Sequence, residues 1–102
     1  MRNNSNAAQE QQVVRARTPA KGEVIGMIEE MLGASRFRVA CVDSRMRICR
    51  VSGKNKRNMW LRTGDVILVE PWSVQPEDRG DIIWKYTAAQ VDWLRRNGFL
   101  KE

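Results

Sequence analysis

Residues 36–51 read RFRVACVDSRMRICRV, and apolar and basic side chains alternate on both sides of Asp43 and Ser44. Side chains along a strand point to opposite faces in turn, so this pattern predicts two strands, each with an apolar and a basic face. If Asp43 and Ser44 form a two-residue turn, the strands pair as an antiparallel hairpin. We therefore predict strands over residues 36–42 and 45–51.

A two-residue turn also fixes which side chains share a face of this hairpin. Val39 would face Ile48 and Cys41 would face Met46, and these four side chains would be buried. The opposite face would carry Arg36, Arg38, Arg45 and Arg47. Four like charges on one face repel one another unless an anion lies there. We predict an RNA contact for this face, with a merely solvated basic surface as the alternative.

The chain from residue 23 onward repeats this texture of short apolar runs between turn residues, which is typical of an all-β barrel or sandwich. We predict a first strand over residues 23–32, a fourth within 59–70 and a fifth over 81–86. The fourth contains Val-Ile-Leu-Val at 66–69 with no polar alternation, so both faces of this strand should be covered.

A helix is predicted after the fifth strand. Thr87 and Gln90 have the spacing of a capping box, in which each side chain satisfies an amide at the helix start. A helix over residues 88–97 would end before Gly98, a favoured residue at that position, and would cover the second face of the fourth strand.

These elements describe an all-β protein, an OB-fold five-stranded β-barrel with a C-terminal α-helix packed on it. The domain organisation that we predict has three parts. They are a flexible basic N-terminal arm at 1–22, the barrel at 23–86, and the helix with a short tail at 87–102.

Positive charge is concentrated in one part of the sequence. The chain has 18 Lys and Arg against 12 Asp and Glu, for a net charge of +6. Residues 36–57 alone contain eight of the cations and one carboxylate. A localised basic segment of this kind favours a polyanionic partner such as RNA.

The residue inventory argues against catalysis and against metal binding. The chain has no histidine and two cysteines, Cys41 and Cys49, which is too few ligands for a tetrahedral zinc site. It has neither the commonest general base nor a nucleophile or phosphate-loop motif. We therefore predict that the protein is not an enzyme and that it binds neither a cofactor nor a metal ion. Since no apolar run approaches the ~20 residues of a membrane span, we expect a cytoplasmic protein without a membrane partner.

Five blocks of the sequence follow one another in a distinctive order and spacing. They are GEVIG at 22–26, MLGASRFRV at 31–39, RICRVSGKNKRNMW at 47–60, GDVILVEPW at 64–72 and DIIWKY at 81–86. Together they resemble archaeal and eukaryotic translation initiation factor 1A, over most of the chain. The chain ends at Glu102 without the long acidic tail of eukaryotic members, and the N-terminal arm is less densely basic than theirs. Both differences favour an archaeal-type factor.

The resemblance implies an OB-fold protein that binds the small ribosomal subunit at the decoding (A-site) region. It would contact small-subunit ribosomal RNA during assembly of the initiation complex and act by occupancy. We expect contacts with other initiation factors and a monomeric state. The basic loop of the family corresponds to Lys54, Lys56 and Arg57, followed by Trp60.

The predicted RNA-binding set combines the hairpin face, this loop and Arg50 of the third strand. Its members are Arg36, Arg38, Arg45, Arg47, Arg50, Lys54, Lys56, Arg57 and Trp60. For Trp60, base stacking and anchoring in the core both remain open, because large aromatic side chains are usually mostly buried. Two alternatives for the whole chain are a ribosomal protein or RNA chaperone of the same fold, and a protein-interaction module that uses the strand at 66–69 or an exposed edge.

Overall fold

The computed structural model of the protein describes residues 16–51 and 60–100. Within these ranges the chain forms five strands and one helix. They are β1 (Val24–Gly33), β2 (Arg36–Cys41), β3 (Met46–Val51), β4 (Val66–Pro71), β5 (Arg79–Lys85) and α1 (Ala88–Arg96). The strands close into a barrel in the order β1-β2-β3-β5-β4, with β4 hydrogen-bonded to β1. Each neighbouring pair is antiparallel except β3 and β5, which are parallel. The closed five-stranded barrel with a C-terminal helix was predicted correctly.

Strand β4 separates two hydrophobic cores. Its side chains Ile67 and Val69 point into the barrel, where they join a cluster that includes Ile28, Val39 and Ile82. Leu68 points the other way, into a second cluster under α1. That cluster also contains Ala16, Ile25, Tyr86 and Leu94. The apolar run at 66–69 is therefore covered on both faces, as the sequence predicted, because the helix packs against the outside of the barrel.

Two glycines allow the strands to approach closely inside the barrel. A Cβ atom on Gly26 would lie 2.5 Å from Cγ1 of Val39, and one on Gly80 would lie 2.6 Å from Cγ1 of Val69. Separations below 3.0 Å are essentially never seen for real Cβ atoms. Glycine is thus required at both positions for this barrel to close at its present width.

Helix α1 begins and ends with the signals that the sequence contains. The amide of Gln90 donates to Oγ1 of Thr87 at 3.2 Å, and the amide of Thr87 donates to Oε1 of Gln90 at 3.0 Å. At the other end Gly98 has φ +83°, and the amide of Phe99 donates to the Leu94 carbonyl at 2.9 Å. This is a Schellman ending, which satisfies carbonyls that the helix leaves unpaired. The capping box therefore fixes where α1 begins, and Leu94 is fully buried against the barrel.

The β2–β3 hairpin differs from the prediction by one residue. Val39 pairs with Arg47 instead of Ile48, and Ala40 pairs with Met46. The amide of Cys41 donates to the carbonyl of Arg45 at 2.9 Å, which leaves three residues in the turn instead of two. The third of them, Ser44, has φ +71°, the left-handed conformation that commonly closes a three-residue hairpin loop.

The extra turn residue reverses the two faces of β3. Arg47 and Cys49 point inward, and Met46, Ile48 and Arg50 point outward. Met46, which was predicted to be buried, is 51% exposed. The faces of β2 are as predicted, with Phe37, Val39 and Cys41 buried.

The chain makes packed contacts before the first strand begins. Ala16 is buried in the second cluster, and the hydroxyl of Tyr86 donates to the Arg17 carbonyl at 2.5 Å. The Arg17 guanidinium lies 5.5 Å from the centre of the Trp84 ring and 3.7 Å from Oε2 of Glu23. Both Ala16 and Arg17 fall within the predicted arm at 1–22, so tertiary contacts begin earlier than expected. Residues 1–15 of that arm lie outside the described residues, and their flexibility stays a prediction.

Removing residues 1–20 should lower the thermal midpoint by about 5–10 °C, because roughly 1–2 kcal/mol of burial and hydrogen bonding is lost. Burial raises the pKa of Tyr86 to about 12, so its hydroxyl stays protonated and acts as a donor at neutral pH. In the shortened chain this hydroxyl loses its acceptor, the Arg17 carbonyl. Thermal unfolding followed by circular dichroism measures the change. A chain lacking only residues 1–14 retains Ala16 and Arg17 and serves as the control. Equal midpoints for the two truncated chains would show that the Ala16 and Arg17 contacts contribute nothing.

The described residues contain no helix that is both long and apolar enough to cross a membrane.

Candidate nucleic-acid interface

Three arginines come together on the outer surface of the hairpin. The outward positions of β2 begin with Arg36 and Arg38, and Arg36 pairs directly with Arg50 of β3. Arg38 pairs with Ile48, one outward position away from Arg50 along β3. We call Arg36, Arg38 and Arg50 the basic face. All three belong to the predicted RNA-binding set, and the structure brings them together at one end of the hairpin. Arg45 lies at the other end, exposed beside the turn.

Two of these arginines have an acidic neighbour. Arg38 forms an ion pair with Glu30 of β1, and both side chains remain about half exposed, at 44% and 54%. Exposed ion pairs of this kind contribute about 0–1 kcal/mol, so Glu30 competes only weakly with a phosphate group. Nε of Arg50 lies 3.6 Å from Oδ1 of Asp81, and its guanidinium lies 4.9 Å from the centre of the Trp72 ring. The basic face therefore keeps its charge accessible to solvent.

Arg47 is not part of this surface, which corrects the prediction. Its side chain is 6% exposed, and its two terminal nitrogens donate to the two carboxylate oxygens of Asp43, each at 3.0 Å. Nε donates to the Pro76 carbonyl at 2.7 Å. The three-residue turn is the reason, because it rotates Arg47 to the inner face of β3. Arg47 thus connects the β2–β3 turn to the loop between β4 and β5.

The Asp43 carboxylate should make the free energy of unfolding depend on pH in the acidic range. Partial burial acts to raise the pKa of Asp43, but the hydrogen bonds from Arg47 and the Arg45 amide outweigh it, and the pKa falls below the ordinary 3.8. Since the folded pKa lies below the unfolded pKa, this stabilisation is complete above about pH 5 and is lost as pH falls through the folded pKa. We expect Asp43→Asn to unfold with a weaker dependence on pH between about 5 and 2 than the parent chain, as measured by urea unfolding. An unchanged dependence would contradict a structural role for Asp43.

Trp60 is a surface residue. Its side chain is 83% exposed, whereas the following residue, Leu61, is buried in the barrel. The Lys85 ammonium group donates to the Trp60 carbonyl at 2.8 Å and lies 3.5 Å from Oδ2 of Asp65. Of the two possibilities left open for Trp60, anchoring in the core is therefore wrong. The main chain is held in place while the indole ring projects outward.

A shallow cleft of about 270 Å³ connects Trp60 with the basic face. Arg36 lines it from the hairpin, and Met31, Phe37 and Val51 contribute apolar surface. A cleft of this composition offers a cation for phosphate and an aromatic ring for a base that has left a helix. Lys54, Lys56 and Arg57 lie outside the described residues, in the segment 52–59 that joins Val51 to Trp60.

No pattern in the sequence indicated that Trp72 contacts Arg50 and Asp81. Its indole is positioned by Arg50 and by Asp81, to which Nε1 donates at 2.9 Å. These residues are brought together by the parallel pairing of β3 with β5, in which Arg50 lies opposite Asp81. The relevant signal was an exposed arginine and an acidic residue on strands that are distant in sequence, which becomes visible only once the pairing is known.

Comparison with known proteins agrees with this architecture. Residues 11–102 match the model of a family described as translation initiation factor 1A / IF-1. The chain belongs to this family. It is 53% identical over 93 residues to translation initiation factor 1A of Methanococcus maripaludis strain C5, an alignment that covers 89% of this chain and 90% of that protein. It is 44% identical over 97 residues to translation initiation factor 1A of Methanothermobacter thermautotrophicus, covering 95% and 98% of the two chains.

A solved structure supports the same assignment. The solution structure of translation initiation factor IF-1 from the Wolbachia endosymbiont strain TRS of Brugia malayi superposes with a TM-score of 0.53 at 34% identity. The match covers 65% of this chain and 78% of that chain. The barrel is an OB fold, as the sequence predicted. Membership of this family and the archaeal relatives also confirm that the chain is of the archaeal type and is not an enzyme.

Proposed function

We propose that this initiation factor binds the small ribosomal subunit at the decoding (A-site) region through ribosomal RNA and thereby promotes assembly of the initiation complex. The observation that supports the proposal most directly is the basic face, which adjoins a cleft with a Trp60 ring that is 83% exposed. The factor acts by occupying its site. It works as a monomer in the cytoplasm and contacts other initiation factors once it is on the subunit.

The proposal involves two kinds of contact, one with phosphate groups and one with an unpaired base. Arg36, Arg38 and Arg50 contact phosphates, and the release of counterions from the RNA drives that part of the binding. Such contacts position the protein but do not distinguish one RNA site from another. The Trp60 ring stacks on an unpaired base, which restricts binding to RNA in which a base is available.

The remaining predicted residues extend this surface. Lys54, Lys56 and Arg57 add phosphate contacts, and in the sequence their segment joins Val51 to Trp60, two residues that line the cleft. Arg45 contacts RNA only at the margin, since it lies at the far end of the hairpin. Arg47 has a structural role and contacts no RNA.

Replacing Trp60 with alanine should weaken binding to small subunits by about tenfold, since stacking of a base on an aromatic ring contributes roughly 1–3 kcal/mol. The thermal midpoint should not change, because little of the Trp60 side chain is buried. Fluorescence anisotropy of the labelled protein with purified subunits measures the affinity. Trp60→Phe retains a ring and should bind within about threefold of the parent chain. Parent-like affinity for Trp60→Ala would exclude stacking.

Chemical footprinting tests the proposed location on the subunit. The protein should protect a few nucleotides near the decoding site at moderate salt, and an A-site ligand should compete for them. Positioned contacts persist under conditions in which purely electrostatic binding has been lost. Protections scattered over the subunit, or equal affinity for duplex DNA, would leave only a basic OB domain without a defined ribosomal site.

A further inference from the structure

A second and larger groove, of about 560 Å³, opens beside Arg50, and none of its lining residues lines the Trp60 cleft. It lies where β3, β5 and the end of β4 meet. Arg50 and Asp81 form one wall, Trp72 forms another, and Glu70 and Val74 line the rim. Arg47 holds the loop that carries Val74, through the Pro76 carbonyl. The rim is therefore attached to the barrel from the inside.

Three side chains of this groove hold one another in a fixed arrangement. The Arg50 guanidinium lies 4.9 Å from the centre of the Trp72 ring, close enough for a cation–π contact. Nε1 of Trp72 donates to Oδ1 of Asp81 at 2.9 Å, and Nε of Arg50 lies 3.6 Å from the same oxygen. The Arg50 side chain nevertheless remains 62% exposed. One surface of Arg50 is thus supported by the indole ring while the rest is open to a ligand.

The charges of the groove favour a base over a phosphate. Within the groove the two carboxylates, Asp81 and Glu70, outnumber the one cation, Arg50, so the groove is a poorer site for a phosphate than the other side of Arg50, where it lies opposite Arg36 on the basic face. A neutral planar ring can stack on a guanidinium plane and donate amino hydrogens to a carboxylate. Val74, which is 70% exposed, offers apolar surface at the rim.

We propose that this groove binds one unstacked RNA base that has an exocyclic amino group. The base stacks on Arg50, and its amino group donates to Oδ2 of Asp81, while Oδ1 remains engaged with Trp72 and Arg50. This inference rests on the proposed RNA-binding function and extends the RNA contact from the hairpin to the β4–β5 loop. It also assigns a function to the Asp81 carboxylate in a basic protein, because Asp81 becomes the group that selects among bases.

Cytidine and uridine form the matched pair of ligands for the test, since their rings differ mainly in an amino group against a carbonyl. Each nucleoside is titrated into the full ¹⁵N-labelled chain, and the Trp72 indole N–H and Arg50 Nε–H resonances are followed by NMR. Trp72→Phe assigns the indole signal among the four tryptophans. We expect saturable shifts with cytidine and at least about fivefold weaker binding of uridine. Equal binding of the two, or no shift at Trp72 with either, overturns the proposal.

Cytidine 5′-monophosphate distinguishes a base site from a phosphate site. It should bind no more tightly than cytidine, because the two carboxylates oppose its charge. Tighter binding that weakens with salt would mean that the groove takes a phosphate, which contradicts the proposal.

Two variants test the roles of the groove residues. Asp81→Asn retains a side chain of the same size, and we expect it to lose the preference for cytidine over uridine. Trp72→Leu removes the support under Arg50 and should weaken cytidine binding by about tenfold. If Trp72→Leu does not fold, Asp81→Asn still decides the question. Arg36→Ala, on the basic face but outside the groove, is the control and should leave nucleoside binding unchanged.

Binding to small subunits, measured in parallel, keeps the two proposals separate. If Arg36→Ala weakens subunit binding but no nucleoside reaches Trp72, the groove proposal fails and the ribosomal function stands. If cytidine occupies the groove but the parent chain does not bind subunits, the ribosomal function fails and the groove remains a base-binding site.

Discussion

Replacing Arg47 with alanine should lower the free energy of unfolding by about 2–3 kcal/mol. This is less than the roughly 3–5 kcal/mol typical of breaking a fully buried ion pair, because the Asp43 side chain is 42% exposed and its carboxylate stays solvated. Arg47 is 5% exposed, and three of its hydrogen bonds are lost together. The Asp43 carboxylate loses its partner, and the Pro76 carbonyl loses its donor. For a domain of this size the thermal midpoint should fall by roughly 10–20 °C.

Arg45→Ala is the matched control for this variant. The same charge is removed two residues away, from a side chain that lies on the surface. Surface substitutions of this kind change stability by about 0.5 kcal/mol or less. Chemical unfolding of the two variants side by side gives the comparison. Similar losses of stability for Arg45→Ala and Arg47→Ala would contradict the inward position of Arg47. They would instead favour the two-residue turn, in which both arginines face outward.

The contrast between Arg45 and Arg47 shows what the hairpin sequence could not reveal. Alternation predicted two strands and both faces of β2 correctly, because Phe37 and Val39 mark the buried side. The faces of β3 depend on the number of residues in the turn. A three-residue turn requires Ser44 to adopt positive φ, which is uncommon for any residue except glycine and which the sequence does not signal.

An inward arginine is also contrary to the usual pattern, since buried charges occur almost only when they are paired. One partner of Arg47, Asp43, is close in sequence, but the Pro76 carbonyl lies 29 residues away. The same limitation applies to the groove. Arg50 and Asp81 meet through the parallel pairing of β3 with β5, which no local pattern predicts.

Elements with local signals were predicted well. The capping box of Thr87 and Gln90 fixes the start of α1 through two hydrogen bonds between residues three apart. The apolar run at 66–69 contained enough information to place a second layer over β4, because a strand without polar alternation must be covered twice. The sequence did not predict the packing of Ala16 and Arg17 against α1 and β5. These two residues belong to a segment of polar composition, which gave no sign of such contacts.

Charge removal on the basic face should have the largest effect on binding. We expect the combined change of Arg36, Arg38 and Arg50 to glutamine to weaken binding to small subunits by at least about a hundredfold, as each charged contact contributes roughly 1.5–3 kcal/mol. The slope of log affinity against log salt should become shallower by about three units, close to one per phosphate contact. The change at Arg38 acts twice, because it also leaves Glu30 without its ion-pair partner beside the RNA.

A control triple separates this local effect from the loss of net charge. Lys21 lies before β1, and Arg95 and Arg96 lie in the last turn of α1, so none of them is on β2 or β3, which carry the basic face. Their replacement by glutamine removes the same three charges from a chain of net charge +6. If general attraction to a polyanion were the whole of binding, both triples would lose affinity and salt slope equally. A site built from Arg36, Arg38 and Arg50 predicts a change within about threefold for the control. Equal losses would therefore exclude a defined RNA site on the hairpin, even if the chain still binds the subunit.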